Sequence, residues 1–218
     1  MEKPALLIFD CDGVLLDSEA LSIRSLVESL ASWDVALSFE EALDRYCGRA
    51  EVFADSDLKR RYGDKLPDDF MAQNHARLRR FFEEGLKPIP GVLPFVRAWP
   101  AAKCVASGSA PDRLKHSLGL TGLWDLFAPN IFSAEQVERG KPAPDLFLFA
   151  ASSLGVAPKD ALVIEDSIPG IEAAQAAGMR SFGFVGASHC RPGQADALMH
   201  AGASRVFSSM EDLAKALR

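Results

Sequence analysis

The apolar run Ala5-Leu6-Leu7-Ile8-Phe9 ends directly in Asp10-Cys11-Asp12-Gly13-Val14, and this junction constrains the fold more than any other stretch of the chain. An apolar run without alternation suits a strand buried on both faces, as in a parallel sheet covered by helices. In extended backbone, residues two apart point the same way, so Asp10 and Asp12 can face one ligand. Gly13 lets the chain turn where a side chain would obstruct. Two neighbouring carboxylates repel. A divalent cation relieves that repulsion, and hard carboxylate oxygens suit Mg²⁺, which also brings phosphate oxygens with it. Asp-x-Asp-Gly is equally ordinary turn chemistry, so the pentapeptide alone leaves both readings open. A calcium loop does not fit, since it needs glycine sixth and glutamate twelfth, where this chain has Gly13 fourth and Leu21 twelfth.

The rest of the chain alternates in a way that agrees with such a strand. Residues from about Ser18 to Glu84 read as helical, with apolar spacing in Leu21, Leu26, Val27 and Leu30 and no convincing strand. Lys87-Pro88-Ile89-Pro90-Gly91 then breaks the pattern as a hinge or linker would. Beyond it, short apolar runs and helices alternate. Lys103 to Ala106 is expected as a strand, Pro111 to Leu118 as a helix closed by Gly119, and Ile131-Phe132 as a short strand. Asp145 to Leu154 is a helix closed by Gly155, Ala161 to Ile164 a strand, and Gly170 to Ala177 a helix stopped by Gly178. Ser181 to Val185 and Arg205 to Phe207 are strands, the latter leading into a helix with capping-box spacing at Ser208-Ser209-Met210-Glu211. Alternation of this kind implies a doubly wound parallel α/β sheet, whose ligands bind beyond the carboxyl ends of the strands.

The chain of 218 residues, 48% of them apolar, has room for one substantial core and a small second unit. Its formal charge of −6 and the lack of a long basic block argue against a general nucleic-acid or anionic-membrane surface, so any phosphate must be captured locally. No stretch has signal-peptide organisation or membrane-spanning length, and a cytoplasmic location is expected. Cys11, Cys47, Cys104 and Cys190 are scattered without a Cys-x-x-Cys pair, which argues for reduced thiols over a zinc site or a disulfide framework.

Three polar clusters fall at strand ends: Asp10 with Asp12, Ser107-Gly108-Ser109, and Glu165-Asp166-Ser167; they are expected to converge. The serine cluster precedes a helix whose first turn holds Pro111, so backbone N–H groups and the positive helix end can hold phosphate oxygens. Ser107, at the strand end, suits phosphate; Ser109 suits helix capping. Lys141, in Gly140-Lys141-Pro142-Ala143-Pro144-Asp145, sits in a proline-stiffened loop where a site of several carboxylates needs a fixed cation. Glu165 and Asp166 are read as metal ligands or as caps of the following helix, a role open to Ser167 as well.

Asp10-Cys11-Asp12-Gly13-Val14, Ala106-Ser107-Gly108-Ser109, Gly140-Lys141-Pro142 with Ala143-Pro144-Asp145, and Ile164-Glu165-Asp166-Ser167 with Pro169-Gly170 occur in the order of four motifs of a known family. Together they give a full-length resemblance to the haloacid dehalogenase superfamily phosphohydrolases, of the β-phosphoglucomutase-like branch. The resemblance implies a Rossmann-like three-layer αβα core (residues 1–16 and 89–218) and a small helical cap (17–88). It implies Asp10 as a nucleophile forming an aspartyl-phosphate, and Asp12 as general acid and then base. Mg²⁺ would be held by Asp10, Glu165, Asp166 and the main-chain carbonyl of Asp12. Lys141, Ser107 and backbone N–H groups, with Cys11 and Gly108 among the contacts, would hold the transferring group, and Arg49 in Gly48-Arg49 would read the leaving group through its fork of donors.

Within this superfamily, haloalkanoate dehalogenases need neither Mg²⁺ nor an acid at the Asp12 position, and phosphonate-cleaving relatives use a cap lysine that the segment after Asp17 lacks. Sugar phosphomutases of the branch carry a histidine about where this chain has Ser22, which turns the expectation from transfer toward hydrolysis of a small phosphorylated metabolite, a sugar or sugar-acid phosphate. A phosphometabolite-binding protein without turnover is the alternative of another class. His189, in the loop Ser188-His189-Cys190, is assigned no role, and oligomeric state has no signature in the chain.

Overall fold

The computed structural model describes residues 3–48 and 51–217, with no side-chain description for residues 51 and 52. Six strands form one sheet: β1 (Leu6–Phe9), β2 (Ala102–Ser107), β3 (Ile131–Ser133), β4 (Ala161–Glu165), β5 (Arg180–Phe184) and β6 (Arg205–Phe207). Their spatial order is β3-β2-β1-β4-β5-β6, every neighbouring pair is parallel, and β1 is central. The helices are α1 (Glu19–Ala31), α2 (Phe39–Tyr46), α3 (Glu51–Tyr62), α4 (Phe70–Gly85), α5 (Val92–Ala98), α6 (Pro111–Leu120), α7 (Trp124–Phe127), α8 (Asp145–Ser153), α9 (Ile168–Ala176), α10 (Gln194–Ala201) and α11 (Met210–Ala216).

The two faces of β1 show why its sequence is apolar throughout. Leu6 and Ile8 join a buried cluster with Cys104 and Ala106 of β2, Val163 of β4, Leu146, Phe147 and Ala150 of α8, and Ala173 and Ala174 of α9. Phe9 points to the opposite face, as the period of two requires, and meets Phe95 of α5 and Phe127 of α7 edge-on at centroid distances of 5.9 and 5.7 Å. Helices therefore cover both faces, giving the three-layer αβα arrangement. Phe9 is flanked in register by Val105 on β2 and Ile164 on β4, so Asp10 and Glu165 leave the sheet side by side.

The described chain divides into two compact units: residues 1–17 with 87–218, which carry the sheet, and residues 18–86. Asp17 and Lys87 are joined by a backbone hydrogen bond of 3.0 Å, and Leu16 bridges to Pro88, so both connections belong to the sheet unit. The second unit contains α1 to α4 around Ile23, Leu26, Leu30, Leu43, Tyr46, Leu58 and Phe70. Within it, the buried Asn74 side chain on α4 accepts from the Ser25 and Ser29 hydroxyls on α1 at 2.9 and 3.1 Å.

Several element ends differ from the sequence expectation. Helix α6 runs through Gly119 to Leu120, and the chain turns instead at Gly122, the position with a left-handed φ of 69°. Helix α9 starts at Ile168, two residues before Gly170. The last helix is capped by Ser209, which accepts from the Asp212 N–H, one residue beyond the anticipated Ser208–Glu211 frame. Helices α5, α7 and α10 have no counterpart in the sequence expectation.

Phe9 is fully buried between two aromatic partners. Phe9→Ala is therefore expected to cost about 3–5 kcal/mol of unfolding free energy and Phe9→Leu, which keeps part of the volume, less than that, read from urea denaturation. A loss under about 1 kcal/mol for Phe9→Ala would contradict close packing around β1.

Candidate active site

The carboxyl ends of β1, β2, β3 and β4, together with the loop after β5, bring the polar residues to one edge of the sheet. The Asp10 N–H donates to Ile164 O at 3.0 Å, extending the β1–β4 ladder by one bond and fixing where the aspartate emerges. Lys141, from the loop before α8, donates to Asp10 Oδ1 at 2.6 Å and to Glu165 Oε1 at 2.7 Å, with its ammonium 4.9 Å from the Phe147 ring centroid. Asp10, Glu165 and Asp166 are all buried and each offers a carboxylate oxygen within 4.8 Å of the others.

Electrostatics at this edge are dominated by burial. Burial pushes the Asp10 carboxyl up to about 7, against the pull of Lys141 and with the help of Glu165. Burial also works against the Lys141 ammonium, but the facing Asp10 and Glu165 carboxylates outweigh it and hold the lysine above its ordinary value. Three carboxylates around one ammonium leave excess negative charge in a poorly solvated place. An all-oxygen donor set with that excess fits a hard divalent cation such as Mg²⁺.

Small residues make the cluster possible. A Cβ built on Gly170, in the first turn of α9, would lie 1.8 Å from Glu165 Oε1; one on Gly13, whose φ is +82°, would lie 1.9 Å from Asp166 Oδ2. Ser167, not either acid, caps α9 by accepting from the Gly170 N–H at 3.1 Å, while Glu165 Oε2 accepts from the Ser167 N–H at 2.8 Å.

Asp12 stands apart from the three grouped carboxylates. The Ser109 hydroxyl donates to its Oδ2 at 2.7 Å and Arg113, in the first turn of α6, to its Oδ1 at 3.0 Å. This corrects the capping role expected for Ser109: the N-cap of α6 is Ala110, and no side chain caps it. Ser107 Oγ accepts from the Ser109 N–H at 3.1 Å, and the Ser133 hydroxyl at the end of β3 donates to Ser109 O at 2.8 Å, so the turn is held from both sides. Gly108 is exposed at its tip, with open space where a Cβ would stand. An α6 N-terminus without a side-chain cap is chemically suited to an anion.

Cys11 lies between the two aspartates with its thiol fully buried, and burial, reinforced by Asp12 and Asp10, pushes that thiol well above its usual range. Its carbonyl accepts from the Leu15 and Leu16 N–H groups, so its contribution to a ligand is limited to its backbone N–H. Arg49 lies outside the described residues. The sequence reading missed Arg113, Ser133 and His189. His189 is buried, with Nε2 3.1 Å from Asp166 Oδ2. The strand-end rule that located Ser107 and Glu165 would have flagged Ser133 at the end of β3, and the loop after β5 as well.

The sequence of residues 4–178 matches the family model of haloacid dehalogenase-like hydrolases. A 6-phosphogluconate phosphatase of Escherichia coli is 28% identical over 194 residues, covering 88% of this chain and 87% of the relative. A phosphorylated carbohydrates phosphatase of Thermotoga maritima is 31% identical over 216 residues, covering 94% and 95%. Among solved structures, a haloacid dehalogenase family hydrolase from Deinococcus radiodurans, with bound phosphate and sodium, superposes with a TM-score of 0.82 at 32% identity over 100% of this chain and 96% of that one. Motif order, the parallel sheet with its acidic edge and these matches agree, and the chain belongs to the haloacid dehalogenase-like hydrolase family.

Proposed function

We propose that this chain is a Mg²⁺-dependent phosphatase that hydrolyses a small phosphorylated metabolite, a sugar or sugar-acid phosphate, through a phosphoryl group carried on Asp10. The observation that carries the reading is the Lys141 bridge between Asp10 and Glu165 beside Asp166, a fixed cation inside a carboxylate group. The phosphatase names of the two curated relatives and the phosphate in the Deinococcus protein support it.

Asp10 attacks phosphorus, its carboxylate oxygen forms the new P–O bond, and the ester P–O bond breaks. Asp12 gives its proton to the departing alkoxide. Water then attacks the phosphoryl group and Asp12 takes its proton; phosphate leaves, and the Asp10 carboxylate is restored. Ser109 and Arg113 hold the Asp12 side chain outside the carboxylate group, so its oxygens stay apart from the acids assigned to the metal. Ser107, Lys141 and backbone N–H groups at Cys11 and Gly108 hold the phosphoryl oxygens, so catalysis rests on positioning and preset charge. Asp10, Glu165, Asp166 and the Asp12 carbonyl would hold Mg²⁺, which would supply the positive charge that lets two anions approach.

In this reading Arg49 supplies the anion contact for the leaving group. Ser22, which stands where sugar phosphomutases of the branch carry a histidine, supports hydrolysis over phosphoryl transfer between sugar positions.

Phosphate release measured across sugar phosphates and sugar-acid phosphates with Mg²⁺ tests the reading. Turnover by the wild type is expected, with Asp10→Asn inactive; Asp12→Asn is expected to bind Mg²⁺ normally, through the unchanged carbonyl, and to lose turnover by about 100-fold or more. Full activity in Asp10→Asn would remove the covalent route, and loss of Mg²⁺ binding in Asp12→Asn would assign that side chain to the metal.

Arg49→Ala is expected to lower kcat/KM by about ten- to a hundredfold for substrates with a second anionic group, because a charge-assisted hydrogen bond contributes about 1.5–3 kcal/mol. Turnover of p-nitrophenyl phosphate is expected to change by less than about threefold. Equal losses on both substrates would show that Arg49 supports the fold or the reacting centre instead.

A further inference from the structure

The segment between β5 and α10 grips Asp166 from two sides. His189 Nε2 stands 3.1 Å from the Asp166 carboxylate oxygen Oδ2, and both side chains are buried. Gln194, the first residue of α10, donates from Nε2 to Asp166 O at 2.9 Å. Its own amide oxygen accepts from the Arg191 N–H at 3.3 Å, which fixes the direction of the side chain. The same segment is anchored at its start, because Asp17 Oδ1 accepts from the Ser188 N–H at 3.0 Å and from the Ser188 hydroxyl at 2.7 Å. Gly13 leaves room for the arrangement: a Cβ there would stand 1.9 Å from Asp166 Oδ2 and 2.9 Å from His189 Cε1; the Cys190 sulfur lies 3.8 Å from His189 Nε2.

We propose that His189 is a positioning residue for a divalent cation, setting the orientation of the Asp166 carboxylate while Gln194 fixes its main chain. This rests on the reading of Asp166 as a metal ligand. An aspartate side chain turns about two torsions, and an acid directly after a strand end has no ladder to hold it. A contact at one carboxylate oxygen removes that freedom before the cation arrives, so less ordering is left to oppose binding. The role explains why a loop histidine is buried at an edge where the other buried polar groups are acids, lysine or serines.

The test is Mg²⁺ binding to the full chain without substrate, measured by calorimetry, with the melting temperature recorded for each variant. His189→Leu keeps bulk and removes the ring nitrogen; His189→Gln places an amide nitrogen near the position of Nε2; His189→Ala serves as the comparison if His189→Leu does not fold. Mg²⁺ affinity is expected to fall by about 10- to 100-fold in His189→Leu or His189→Ala and to stay within about threefold of wild type in His189→Gln. Unchanged affinity in the leucine or alanine variant would overturn the proposal. Equal weakening in all variants, tracking the melting temperature, would also overturn it by assigning His189 a packing role only. A wild-type chain that binds no Mg²⁺ would instead remove the metal reading of Asp166, and the proposal with it. That failure is distinguishable from a wild type that binds Mg²⁺ regardless of residue 189.

Discussion

Lys141 lies between two acids contributed by adjacent strands, and the arrangement of the site depends on that ion pair. Asp10 and Glu165 emerge from β1 and β4, each strand buried along its length, so neither carboxylate reaches bulk water easily. Without a fixed ammonium, two buried acids at neighbouring strand ends would repel each other and oppose the β1–β4 pairing that brings them together. Lys141 comes from a loop 131 residues after Asp10 and 24 before Glu165, so the contact ties three distant segments into one edge. Removing one partner of such a group leaves uncompensated buried charge, so the lysine supports the structure of this edge whatever chemistry it serves.

Around that pair, the polar residues divide into two sets. Glu165 and Asp166 remain with Asp10, and glycines at positions 13 and 170 admit their carboxylates where a methyl group would collide. Asp12, only two residues from Asp10, is drawn away by Ser109 and Arg113. Two aspartates so close in sequence thus meet different surroundings, one facing a lysine and acids, the other a hydroxyl and a guanidinium. Separate environments suit the separate duties proposed for them, one carboxylate bonding to phosphorus while the other carries protons.

Much of this was legible in the chain. The central strands read clearly because burial on both faces makes them continuously apolar, and the parallel sheet followed from their alternation with helices. Strand-end reasoning gathered Asp10, Ser107, Glu165 and Asp166, with Lys141 added by charge balance. Helix α5 was hidden by Pro94, which breaks a helical reading but is tolerated in a first turn, where its missing N–H has no partner to lose. Gly119 gave a false stop because glycine inside a helix costs only about 1 kcal/mol. Ser109 looked like a cap since spacing shows that a hydroxyl precedes a helix and not which acceptor it faces; Asp12 lies 97 residues away. His189 carries no local signal, because its burial against Asp166 is tertiary information.

Asp10, held against Lys141, is the proposed phosphoryl carrier. Chemical trapping tests it most directly: the chain is mixed with a turned-over sugar phosphate and Mg²⁺, quenched, treated with borohydride, and its peptides are sequenced by mass spectrometry. Borohydride reduces an acyl phosphate but not a free carboxylate, so the account predicts homoserine at position 10, dependent on substrate, with Asp12, Glu165 and Asp166 unchanged. Phosphate release without reduction at position 10, or reduction at another of these acids, would contradict it.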